Sequence, residues 1–112
     1  MKKVEAIIRT AKFEEVHVEL AKIGIRFMTY SEVKGLGMEH PDTQQYRGAT
    51  YDVGFIPRIQ LEIAVPDSKV TPVVECLLKT AYTGKVGDGK IFIYEIKEAY
   101  RIRTKERDEK AL

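Results

Sequence analysis

Ile59-Gln60-Leu61-Glu62-Ile63-Ala64-Val65 alternates large apolar residues with Gln60, Glu62 and Ala64. That period of two is the pattern of a strand with one buried face. On its C-terminal side, Val70, Val73, Val74, Leu77, Leu78 and Ala81 recur at helical spacing behind Asp67 and Ser68, either of which can cap. Lys90 to Lys97 reads as a closing strand. Toward the N-terminus, Phe27 to Lys34 is a strand, and Lys12 to Ile23 is a helix with Phe13, Val16, Leu20 and Ile23 on one face and Gly24 as its stop. Val4 to Arg9 is a short β-branched strand. The order β-α-β-β-α-β predicts an α+β, ferredoxin-like domain: a four-stranded antiparallel sheet with two helices on one face.

Two features exceed a minimal version of that fold. The segment from Gly35 to Pro57 is rich in glycine, polar residues and tyrosine, and is far longer than the roughly two to five residues a hairpin needs. The second sheet face lacks helices. Ile8, Ile63 and the apolar side of the last strand are expected there, wet in a monomer, which argues for self-association through the sheet over cover by long side chains such as Arg58 and Lys97.

A chain of 112 residues, 44% hydrophobic and 32% charged, makes one globular domain spanning residues 1–112. A net charge of +2 gives no argument for a nucleic-acid partner. The single cysteine, Cys76, and the absence of a signal-peptide pattern or a membrane-length apolar run point to the cytoplasm. Cys76 lies among apolar residues and reads as a packed side chain; His17 and His40 have no partner at metal-ligand spacing.

Gly84-Lys85-Val86-Gly87-Asp88-Gly89-Lys90 matches seven positions of the P-loop pattern G-x-x-x-x-G-K-[ST]. Ile91 replaces the hydroxyl residue that would hold Mg²⁺, and the run opens a strand instead of a helix, so this is no P-loop. Three glycines still let backbone N–H groups approach an anion, with Lys85 and Lys90 beside them. Binding a nucleotide suits this composition better than cleaving one. Asp88 has no second acid or water-positioning glutamine with it in the run, which weighs against an evolved ATPase.

Tyr46-Arg47-Gly48-Ala49-Thr50-Tyr51, Thr83 to Phe92, Arg101-Ile102-Arg103-Thr104, the opening Met1 to Arg9 and Val33-Lys34-Gly35-Leu36-Gly37 together resemble the PII signal-transduction proteins, over nearly the whole chain and without insertion. The resemblance implies a homotrimer, ATP or ADP in three clefts between subunits, and a projecting T-loop, residues 36–56, that engages a target protein; residues 98–112 form a C-terminal tail. It implies regulation and not catalysis, with an enzyme or transporter of nitrogen metabolism as target and no membrane insertion.

By that likeness, Ile7 packs beside the base, Thr29 and the backbone near Ala64 meet the adenine, and Gly35 and Gly37 line the entry. Gly87, Asp88 and Gly89 bring the backbone close, while Lys90, Arg101 and Arg103 supply charge, the two arginines from the neighbouring subunit. Read alone, Arg101 and Arg103 are part of a solvated charged tail. The family's second ligand, 2-oxoglutarate, is held through Mg²⁺ bridged to ATP. Here Arg9, Glu39, Arg58 and Gly87 are the corresponding residues, with Glu39 as the metal ligand. Glu39 stands where the family usually has glutamine, Arg58 where it has lysine, and Met38 where arginine is common. Glutamate binds Mg²⁺ well but repels a dianionic metabolite, and arginine keeps the cation without the geometry. Tyr51 occupies the family's uridylylation position, although Tyr46 and Tyr51 read first as partner contacts. The alternatives are an adenylate-only sensor serving another pathway and a small nucleotide-hydrolysing enzyme.

Overall fold

A computed structural model describes residues 1–36, 45–46, 49–50 and 56–112. Strand β1 (Lys2–Arg9) leads through a 3-10 turn (Thr10–Lys12) into α1 (Phe13–Lys22), β2 (Thr29–Gly35), β3 (Gln45–Tyr46), β4 (Ala49–Thr50), β5 (Ile56–Val65), α2 (Asp67–Thr80) and β6 (Gly89–Glu95). The main sheet is antiparallel in the order β2-β5-β1-β6, the ferredoxin-like arrangement. Within the long segment, β3 and β4 pair with each other, a ladder the sequence reading does not anticipate.

The core is one layer of side chains between the sheet and the helices. Val4, Ala6 and Ile8 from β1 and Ile59, Leu61, Ile63 and Val65 from β5 meet Val16 and Leu20 of α1 and Val73 and Leu77 of α2. Ile8 and Ile63 are therefore buried under the helices, against the expectation that they lie on the uncovered face. Strand parity is the reason: Ile8 stands opposite Ile59 and Val4 opposite Ile63, so all four point the same way. The open face carries Lys3, Glu5, Glu62, Phe92 and Tyr94 in facing rows. It is half polar, with the Lys3 ammonium 4.7 Å from the centre of the Tyr94 ring and 3.6 Å from Glu62. Phe92 and Tyr94 are exposed on this face, as expected of the last strand, and larger exposures lie off the sheet, among them Phe27 at 80% before β2 and Ile102 at 95% in the tail.

Gly24 does stop α1, at φ +89°, where the Gly24 N–H donates to Ala21 O and the Ile25 N–H to Leu20 O, both at 3.0 Å. The cap of α2 differs from expectation. Pro66 is the N-cap residue and no side chain caps; Asp67 instead accepts from the Met1 amino group at 2.9 Å, tying β1 to the helix start.

Candidate functional site

The glycine run forms a tight loop fastened by Asp88. The Thr83 hydroxyl donates to Asp88 Oδ1, and the N–H groups of Thr83 and Gly84 donate to Oδ2 at 2.8 and 2.9 Å. Arg9 closes the knot, its Nε donating to Asp88 Oδ1 at 2.9 Å and its Nη2 to the Val86 carbonyl at 2.9 Å. These contacts, the Thr83 hydroxyl first, hold the Asp88 carboxyl well below the usual carboxylate range. Asp88 is thus a fastener and a poor proton acceptor.

Gly84, Gly87 and Gly89 adopt positive φ. At Gly89 the requirement is absolute, because a Cβ would lie 1.7 Å from the Ile7 carbonyl oxygen where β6 meets β1. At Gly87 a Cβ would stand 2.8 Å from Arg58 Nη2 and 3.4 Å from Arg9 Nη2. The Gly87 backbone therefore faces two guanidinium groups. Arg58 pairs across the strands with Arg9 and is only 9% exposed; burial first, then the like charge of Arg9, push its pKa down, against the pull of Asp88. Gly35 closes this end, where a Cβ would be 3.5 Å from Arg58 Cγ.

Beside the loop, a groove of about 350 Å³ runs along the edge strand β6. Ile7, Gly89 and Lys90 line it together with Leu78 and Ile93, which sequence reasoning assigned only to a helix face and a strand, and Tyr82, which it did not single out. Ile7 and Lys90 are register partners, which is why they share the site.

The structure brings Ile7, Arg9, Gly35, Arg58, Gly87, Asp88, Gly89 and Lys90 to one end of the sheet. It does not bring Thr29, Ala64, Arg101 and Arg103 to them. Ala64 lies six positions beyond Arg58 along β5, roughly 20 Å at strand rise. Thr29 and Ala64 line a second groove, of about 560 Å³, with Arg26, Lys69 and the chain's last residues. Arg101 lies in the tail close by, tied to Leu112 O at 2.9 Å, and Arg103 is exposed. Gly37, Glu39 and Tyr51 fall outside the described residues, and Tyr46 is placed only as part of β3.

The profile of the family described as "Nitrogen regulatory protein P-II" matches residues 1–106. The chain belongs to the P-II family. Relatives with that name include the P-II protein of Haemophilus influenzae, 48% identical over 112 residues, and P-II 1 of Escherichia coli K12, 47% identical; the Pasteurella multocida protein is 46% identical, and in each case both chains are covered in full. All three are named as regulatory proteins, so the P-II assignment points to signalling. In this P-II chain the glycine loop is fastened by Asp88 and Arg9, and Gly87 packs against the Arg9 and Arg58 guanidinium groups. No helix among the described residues is long and apolar enough to cross a membrane.

Proposed function

We propose that this P-II protein is a cytoplasmic homotrimer that binds ATP or ADP in clefts between adjoining subunits and passes the ligand state through the 36–56 loop to an enzyme or transporter of nitrogen metabolism. One observation carries the reading. The expected nucleotide contacts divide into two partial sites at opposite ends of the same sheet, each with its own groove, so a complete site requires the β6 edge of one subunit and the Thr29 edge of the next. Head-to-tail contacts close into a ring when the rotation between neighbours closes. Exposed apolar side chains at both margins, Tyr82 and Val86 near one groove and Phe27 at the other, are suited to such burial.

In the first half-site, Gly87 and Gly89 admit the phosphates to backbone N–H groups, and Lys90 and Arg58 supply charge. In the second, Thr29 and Ala64 receive the adenine, and Arg101 and Arg103 reach the phosphates. 2-Oxoglutarate would bind at Arg9, Arg58 and Gly87, with Mg²⁺ on Glu39. Asp88 cannot double as a metal ligand while its oxygens hold Thr83, Gly84 and Arg9.

A specific observation favours the adenylate-only alternative: Arg9, the cation expected at the metabolite, is committed to Asp88 and Val86. Calorimetry with ATP, ADP and 2-oxoglutarate, with and without Mg²⁺, separates the readings. Metabolite binding that occurs only with MgATP supports full sensing; adenylate binding without it supports the alternative; indifference to ATP and ADP overturns both. Hydrolysis at about 1 per second or faster would favour an enzyme.

A further inference from the structure

We propose that the last turn of the chain is a positioning strap for the second half-site, holding Arg101 in place beside the groove that contains Thr29 and Ala64. The inference rests on the reading that this groove and Arg101 bind nucleotide. Residues 98–112 are not a loose charged tail. Tyr100 and Arg107 form a bridge, the Arg101 N–H donates to Glu106 O at 2.9 Å, and the Lys105 N–H donates to Arg101 O at 2.7 Å. The Arg107 guanidinium lies 5.0 Å from the centre of the Tyr100 ring. Asp108 anchors the next step, its N–H donating to Ala99 O at 2.7 Å while its Oδ1 accepts from the Ala99 N–H at 3.3 Å. Lys105 and Asp108 take positive φ, of 64° and 56°, a conformation non-glycine residues keep only where surrounding contacts demand it.

The 3-10 turn Asp108–Ala111 then brings the chain back to the sheet. Glu109, Ala111 and Leu112 form part of the wall of the groove lined by Thr29 and Ala64. The Leu112 carbonyl accepts from Arg101 Nη2 at 2.9 Å. One hydrogen bond fixes the direction of a guanidinium that carries five N–H donors. The Glu106 carboxylate, at 3.9 Å from Nη1, is beyond hydrogen-bond range. Arg101 therefore retains donors for a phosphate. Ordering a long side chain ahead of binding removes an entropic cost the ligand would otherwise bear.

The test is a double-mutant cycle read by ATP calorimetry. One arm deletes 109–112 from the otherwise complete chain; the other is Arg101→Ala. Deletion is expected to weaken ATP about tenfold, the scale of one well-placed hydrogen bond to a charged group, and to weaken it much less in the Arg101→Ala background, where only part of the groove wall is lost. A merely structural role would weaken ATP equally in both backgrounds, and that result, or full affinity after deletion, overturns the strap. Should the deletion impair folding, Asp108→Ala cuts the anchor instead and is held to the same two outcomes. Failure of the wild-type protein to bind ATP would instead refute the nucleotide reading itself.

Discussion

Arg9 and Asp88, on β1 and in the loop before β6, meet in a 2.9 Å ion pair whose carboxylate also gathers the Thr83 hydroxyl and two backbone N–H groups. The glycine loop is thereby shaped before any ligand arrives. Asp88→Asn keeps the volume but loses the charge and an acceptor, so ATP and ADP affinity should fall by roughly tenfold, the scale of one hydrogen bond to a charged group. Unchanged affinity in calorimetry would remove Asp88 from the site's organisation.

The same knot has a defined pH dependence. The folded-state pKa of Asp88 is depressed below its ordinary value, so its stabilisation is fully present above the ordinary carboxylate pKa of about 4 and is lost as pH falls toward the depressed value. Between pH 7 and 5 this group should contribute no change in stability. Thermal melts of wild type and Asp88→Asn should therefore keep a constant difference over that range and converge only in stronger acid.

Gly87 and Gly89 should differ sharply when replaced by alanine. At Gly89 the added carbon meets backbone, the Ile7 carbonyl at 1.7 Å, and separation of β6 from β1 should cost more than about 3 kcal/mol. At Gly87 it meets the end of the Arg58 side chain at 2.8 Å, which can move, leaving mainly the left-handed backbone cost of about 1–2 kcal/mol. Denaturant titration checks the order; equal losses would contradict the geometry.

Arg58 is buried beside a like charge, an arrangement that costs stability. Arg58→Met keeps the apolar stem, relieves that repulsion and should raise Tm by roughly 2–5 °C while weakening nucleotide binding. A lower Tm would show that the guanidinium is a structural element.

The sheet and helices were legible because apolar periodicity reports which side chains must leave water, and β5 alternates without a break from Ile59 to Val65. Facing was harder. Assigning Ile8 and Ile63 to the open side failed because the parity of β1 against β5 depends on register, a non-local pairing. Asp67 and Ser68 looked like caps, but Asp67 is drawn to the Met1 amine, which comes from the other end of the chain. The glycine run was legible by composition as a stretch of special backbone, and Gly84, Gly87 and Gly89 do take positive φ. What its sequence could not show is that Asp88, read as a ligand contact, spends its carboxylate inside the loop, or that the charged tail folds back on Arg101.

Sharing of each nucleotide site between neighbours is most directly measured by complementation. Lys90→Ala and Arg101→Ala proteins, one defect per half-site, are each expected to bind ATP weakly. Unfolded together in equal amounts and reassembled, they should recover about one quarter of the wild-type number of tight sites, because a random cyclic assembly pairs two intact halves at that frequency. Recovery of none, with assembly intact, would place both residues in a site within one protomer and contradict the account.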